Sequence, residues 1–157
     1  MSGQRVEASR VVAVEPVAAF DRLMGARLQD IFSRRYAAFP PVTEVVDEPD
    51  DWGKVGQTRT IVLADSGRFR ETLTSVERPH RFAYVLDEIE GPLRQFVTTI
   101  DGVWMIDPDG DRARIRWAWT FHTKAARALL TTHVLGRMWK GYADRALVEL
   151  ETILKGD

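Results

Sequence analysis

With 157 residues, 45% of them hydrophobic and 29% charged, the chain has the size and composition of one globular domain, which would bury about 70% of the surface its unfolded form exposes. The net charge of -1, with both signs interspersed, excludes the broad electropositive face of a non-specific nucleic-acid binder. The absence of cysteine excludes disulfide frameworks, thiolate nucleophiles and cysteine metal sites, and no run approaches the ~18 apolar residues of a membrane span. A polar N-terminus stands where a secretory signal would need an apolar stretch, so a cytoplasmic protein without integral membrane association is expected.

In chain order, Val6 to Val14 alternates as a strand and runs into Glu15-Pro16, where proline pre-sets a first helical turn. Val17 to Met24 and Leu28 to Tyr36 carry apolar residues at helical spacing and predict two short helices interrupted at Gly25. Val42 to Val46 reads as a strand, and Asp47 to Gly56 as a polar loop in which the flexible segment Asp50 to Gly53 carries Trp52. Gln57 to Ala64, Arg68 to Val76, Phe82 to Asp87, Gln95 to Ile106 and Arg112 to His122 follow as strands joined by short turns, which defines an antiparallel meander. Ala125 to Leu154 closes the chain as one long amphipathic helix. No repeat or linker divides the chain, so residues 1–157 are expected to form a single domain.

If Asp107 to Gly110 forms the last hairpin turn, Trp104 lies opposite Ala113, Ile100 opposite Trp117, Thr98 opposite Trp119 and Phe96 opposite Phe121. That face is aromatic and needs a cover, and the long helix is the available one. The opposite face pairs Asp101 with Arg116 in the same register.

Among the apolar inward positions of the middle strands stand Arg59, Glu71 and Tyr84. A buried Arg or Glu is strongly unfavourable unless paired, so Arg59 and Glu71 are expected to face each other across neighbouring strands with the Tyr84 hydroxyl nearby. Such a group could orient the polar end of a ligand, or it could be a structural ion pair at the sheet rim. If there is catalysis, Glu71 is the candidate acid or base, although pairing with Arg59 works against a raised pKa. Phe96, Trp104, Trp117, Trp119 and Phe121, with Thr98 among them and Trp139 on the helix, either line a cavity or fill it. Trp52 is a candidate lip residue, or an ordinary loop anchor.

His80, His122 and His133 have no i,i+4 partner and no carboxylate at ligand spacing, so no metal is expected. The absence of a phosphate loop, a dinucleotide fingerprint and a Gly-x-Ser-x-Gly elbow leaves no cofactor signature.

Particular segments carry a family likeness: Val14-Glu15-Pro16-Val17, Val55 to Arg59, Phe69 to Leu73, Arg78 to Tyr84, Trp117 to Phe121, and the helix from Gly141-Tyr142 to Leu154. Together with the element order, they make the chain resemble the START/Bet v 1-like (SRPBCC) superfamily in its polyketide cyclase/dehydrase-like branch. The resemblance covers essentially the whole chain. It implies an α+β helix-grip fold, in which a curved antiparallel sheet of about six or seven strands wraps around the long C-terminal helix and two short helices follow the first strand. It also implies a small hydrophobic ligand, such as a lipid, polyketide or aromatic metabolite, held between sheet and helix. Members include carriers, aromatase/cyclases, ligand sensors and chaperone co-factors; this chain lacks a Trp where the first helices end and so departs from the last group. Binding or carriage is the leading expectation, with a cyclase/aromatase-type enzyme and a protein-interaction module with a filled core as alternatives.

Overall fold

The computed structural model describes residues 4–36, 39–123 and 128–156. Strand β1 (Gln4–Val12) leads through Glu15 into helix α1 (Pro16–Gly25), where Pro16 occupies the first turn and the helix buries Ala19, Phe20 and Leu23. Helix α2 (Leu28–Ile31) is a single turn. The sequence expectation carried it to Tyr36, but Tyr36 instead forms a backbone bridge with Phe39, which turns the chain toward β2 (Val42–Val46).

Four further strands, β3 (Thr58–Leu63), β4 (Arg68–Glu77), β5 (Arg81–Glu90) and β6 (Thr99–Asp109), precede β7 (Arg112–His122) and helix α3 (Ala128–Leu154). The expected start of that helix at Ala125 lies outside the described residues. All seven strands form one antiparallel sheet in the order β1-β7-β6-β5-β4-β3-β2. Register shifts between Val42 and Glu44, between Arg68 and Arg70, and between Leu73 and Ser75 interrupt the regular ladder. Such bulges bend a strand and increase its twist, which is how a sheet comes to wrap around a helix.

The inner face is apolar at alternate positions, as Ala113, Ile115, Trp117, Trp119 and Phe121 of β7 show, all buried. Helix α3 covers it with Leu135, Trp139, Ala143, Ala146, Leu150 and Leu154. Polar ties help fix the helix over the sheet: Arg10 Nε donates to Glu151 Oε1 at 2.8 Å, Tyr142 Oη donates to the Pro40 carbonyl at 3.2 Å, and Arg22 of α1 caps the Leu154 carbonyl at the helix C-terminus.

The last hairpin differs from the sequence expectation. Asp109 pairs with Arg112, leaving Gly110 (φ 64°) and Asp111 as a two-residue turn, so β6 runs on through Asp107 and Pro108. Each β6 residue therefore meets a partner four positions later than expected: Trp104 faces Trp117 and Ile100 faces Phe121. Because that shift is even, both strands keep their inward faces. On the outer face Arg116 pairs with Asp107 at 2.8 Å, while Asp101 takes His122 at 2.7 Å, so the expected Asp101–Arg116 pair does not form.

Candidate functional site

Arg59 and Glu71 are direct register partners on β3 and β4, and both point inward, 6% and 4% exposed. Arg59 Nε donates to Glu71 Oε1 at 2.7 Å. The other arm of the guanidinium bonds Glu48, and its Cζ lies over the Trp52 ring, 4.0 Å from the ring centre. One buried cation thus joins the sheet floor to the loop between β2 and β3. Glu48 was not anticipated from the sequence, since it sits in a polar run whose side-chain directions follow no period. The loop carrying Trp52 is also less free than its composition implied. Gln57 Oε1 accepts from Gly53 and Lys54 N–H at 2.8 Å, and its Nε2 donates to Asp51 Oδ1 at 2.8 Å.

Burial raises the Glu71 pKa; the Arg59 charge and hydrogen bond oppose this, and the Glu48 carboxylate adds to it. Pairing with Arg59 thus works against the raised pKa, as expected, without cancelling it. The guanidinium is shared between two carboxylates, and desolvation prevails. Tyr84, on β5, accepts hydrogen bonds from Trp117 Nε1 and Trp119 Nε1, both at 2.8 Å. Burial raises its pKa, as does the Glu71 charge, so the phenol stays protonated.

These groups line one cavity between the sheet, α1, α2 and α3. Trp52, Trp104, Trp117 and Trp119 contribute to its wall with Arg59, Glu71 and Tyr84, and Met24, Leu28, Phe32, Phe69 and Tyr142 complete much of the rest. Trp104 and Trp117 stack at 4.8 Å and 6°. The free interior volume is about 60 Å³, room for a few waters at ~10–15 Å³ of void each. An outer hollow of about 430 Å³, floored by the α1–α2 connection and the Glu48 to Trp52 loop, shares Met24, Leu28 and Trp52 with it. Trp52 therefore stands where inner slot and outer hollow meet.

Four expected residues are placed elsewhere. Phe121 is fully buried, edge-on to Trp119 at 5.7 Å, and Trp139 packs on Trp117 from the helix side at 4.8 Å; both back the aromatic wall without lining the cavity. Phe96 is 37% exposed and Thr98 is also exposed, its hydroxyl bonded to the His122 carbonyl. The cause is Gly91-Pro92, which opens a 3₁₀ turn over Pro92–Gln95, so strand alternation starts only at Thr99 and Val97 takes the inward place. The helical contributors Met24, Leu28 and Phe32 carried a signal in the helical periodicity, which identifies a buried face but not what it is buried against.

Among the described residues no group of three or more His, Asp or Glu side chains is placed to hold a metal ion, and no helix is long and apolar enough to cross a membrane.

A seven-stranded antiparallel sheet around a C-terminal helix, with two short helices after the first strand, defines the helix-grip class. The chain belongs to the family described as polyketide cyclase / dehydrase and lipid transport, which it matches over residues 3–155. No curated protein matches the sequence. Solved structures share the fold at low identity. A norcoclaurine synthase point mutant from Thalictrum flavum, in complex with a transition state analogue, is 14% identical, with 98% of this chain and 94% of that chain covered and a TM-score of 0.73. TTHA0849 from Thermus thermophilus is also 14% identical, with 98% of each chain covered and a TM-score of 0.72. The major latex-like protein 151 of Panax ginseng is 12% identical, with 97% of each chain covered and a TM-score of 0.64.

Proposed function

We propose that this protein binds or carries a small, largely apolar molecule in the cavity between sheet and helix, with the Arg59–Glu71 pair holding the molecule's polar end. The observation that carries this reading is the buried ion pair in the wall of an otherwise aromatic and aliphatic cavity. Two apolar residues of similar volume would commonly serve stability as well or better, so stability alone does not account for the pair. The family description, which includes lipid transport, supports the same reading. The interior volume of about 60 Å³ is smaller than the ~150 Å³ that takes up benzene, so admitting even a compact ligand requires Met24, Leu28 and Trp52 to swing outward into the hollow. The protein acts as one domain over residues 1–157, in the cytoplasm, without a cofactor or metal. Its outer sheet face, laced with pairs such as Arg70–Asp87, Arg81–Glu77 and Arg116–Asp107, offers no basic track to a nucleic acid.

Native mass spectrometry of freshly purified protein, followed by a thermal-shift screen of hydrophobic compounds, tests this directly. Co-purified mass or a stabilising compound supports binding, by mass action on the folded state. An empty protein that no compound stabilises refutes it and favours the interaction module. That alternative has little else in its favour, because among the described residues the exposed large apolar side chains, Val17, Val55, Phe96, Val134 and Val148, are scattered over several elements.

One observation favours an enzyme as the second reading: burial raises the Glu71 pKa, as a general acid or base near neutral pH requires. In this reading Glu71 exchanges a proton with a bound polyketide-like substrate, and Tyr84 steadies the oxygen on which negative charge develops. Full turnover by Glu71→Gln on an identified substrate would exclude it.

A further inference from the structure

We propose that Tyr84 meets a bound molecule solely as a hydrogen-bond donor, so that the cavity selects compact apolar ligands bearing an acceptor oxygen, such as a ketone or ester carbonyl. Toward a ligand whose polar group is a donor, the Tyr84 oxygen has no acceptor capacity left. The inference rests on reading the cavity as a ligand site, and it narrows the chemistry of that site.

The argument is one of hydrogen-bonding capacity. An indole N–H only donates, so the 2.8 Å contacts from Trp117 Nε1 and Trp119 Nε1 can run in one direction, into the phenolic oxygen. Two accepted bonds use up what the oxygen can accept and leave its proton to be placed. Tyr84 is 6% exposed, and among the described residues no acceptor takes that proton; at the nearby Glu71 carboxylate, Oε1 accepts from Arg59 Nε. A buried hydroxyl proton without an acceptor is costly, and Tyr84 lies in the cavity wall, where a bound molecule would supply the missing oxygen. Two accepted bonds also polarise the O–H and strengthen it as a donor.

The donor is held in place from below. Gly102 of β6 is the register partner of both Tyr84 and Trp119. A Cβ at that position would lie 2.1 Å from Tyr84 Cζ and 2.5 Å from its hydroxyl oxygen. The ring can therefore lie across β6 to reach the two indoles only because position 102 has no side chain. Gly102 is a positioning residue for the donor, which explains an inward-facing glycine in the middle of a long strand.

Indane, indole and 1-indanone are bicyclic probes of nearly equal size that offer no polar group, a donor and an acceptor respectively. Titrated into the wild-type protein and followed by isothermal titration calorimetry, 1-indanone should bind roughly tenfold more tightly than indane, and indole no more tightly than indane. The carbonyl stretch of bound 1-indanone should fall below its frequency in hexane. In Tyr84→Phe both the ketone preference and the frequency shift should be lost while indane still binds. If that variant fails to fold, Gly102→Ala displaces the same hydroxyl and should give the same result. Equal affinity for indane and 1-indanone in the wild type, or tightest binding of indole, overturns the donor assignment and leaves the cavity standing. Failure of all three probes to bind removes the ligand site itself, and the donor assignment with it.

Discussion

Replacing Arg59 by Met should separate a buried ion pair that the fold depends on from one that merely decorates the sheet. Arg59 and Glu71 meet at 2.7 Å with 6% and 5% of their side chains exposed. At an effective dielectric constant of about 20, charges about 4 Å apart attract by about 4 kcal/mol. Arg59→Met keeps the bulk but strands the Glu71 carboxylate, and removing one partner of a buried pair costs about 3–5 kcal/mol, a large share of a typical folding free energy of about 5–15 kcal/mol. The loss should depend on pH with a defined sign. The Glu71 pKa is already raised by burial, and losing the guanidinium raises it further. The native state then holds a proton that the unfolded state releases at lower pH, so stability falls as pH rises from the unfolded carboxyl value through the folded one. Urea denaturation at about pH 5 and about pH 8 reads both arms, and the variant should be hurt more at the higher pH. Glu71→Gln should cost less, about 1–2 kcal/mol, because the amide carbonyl still accepts from Arg59 Nε and Glu48 keeps the other arm. The double change Arg59→Met with Glu71→Leu should recover most of the loss. A cost below about 1 kcal/mol for Arg59→Met at both pH values would refute the reasoning, since that is what a solvated pair gives.

Other expectations follow from single contacts. Trp139 Nε1 is a buried N–H with no partner among the described residues, so in Trp139→Phe the relief of that group offsets the lost volume, and stability in urea should stay within about 1 kcal/mol of wild type. Trp117→Phe instead removes a satisfied N–H and a stacked ring, and should cost about 1–3 kcal/mol in the same titration. Gly102→Ala should lower stability by about 1–3 kcal/mol through overpacking against Tyr84, with a change in tryptophan emission as the indoles lose their acceptor. Trp52→Ala should cost under about 1 kcal/mol yet speed probe association in stopped-flow fluorescence; an unchanged rate would show that Trp52 is an anchor and not a lip.

Residues whose position follows from strand parity were legible in the sequence. Arg59, Glu71 and Tyr84 fall on inward positions by alternation alone, and the aromatic face of β7 follows in the same way. The hairpin register was misplaced because the whole of Asp107 to Gly110, Pro108 included, has turn composition, whereas Asp107 to Asp109 belong to β6. The structure seats the turn at Gly110-Asp111, where a positive φ is needed, and the even shift spared the face assignment. Phe96 and Thr98 failed for a different reason: alternation holds only inside a strand, and after the 3₁₀ turn at Pro92–Gln95 the strand starts only at Thr99, so parity counted back from the hairpin does not reach them. Glu48 and the indole clamp on Tyr84 rest on side-chain directions set by the tertiary fold, which no local pattern encodes.

The central claim is that an apolar molecule seats itself against the β7 tryptophans beneath the Trp52 loop. The most direct measurement is the indole ¹⁵N–¹H spectrum of the protein titrated with 1-indanone, with the tryptophans assigned by single Phe variants. Saturable shifts of the Trp117 and Trp119 indole signals, accompanied by Trp52, are the predicted result. Indole signals that stay fixed while resonances of surface residues move would contradict it.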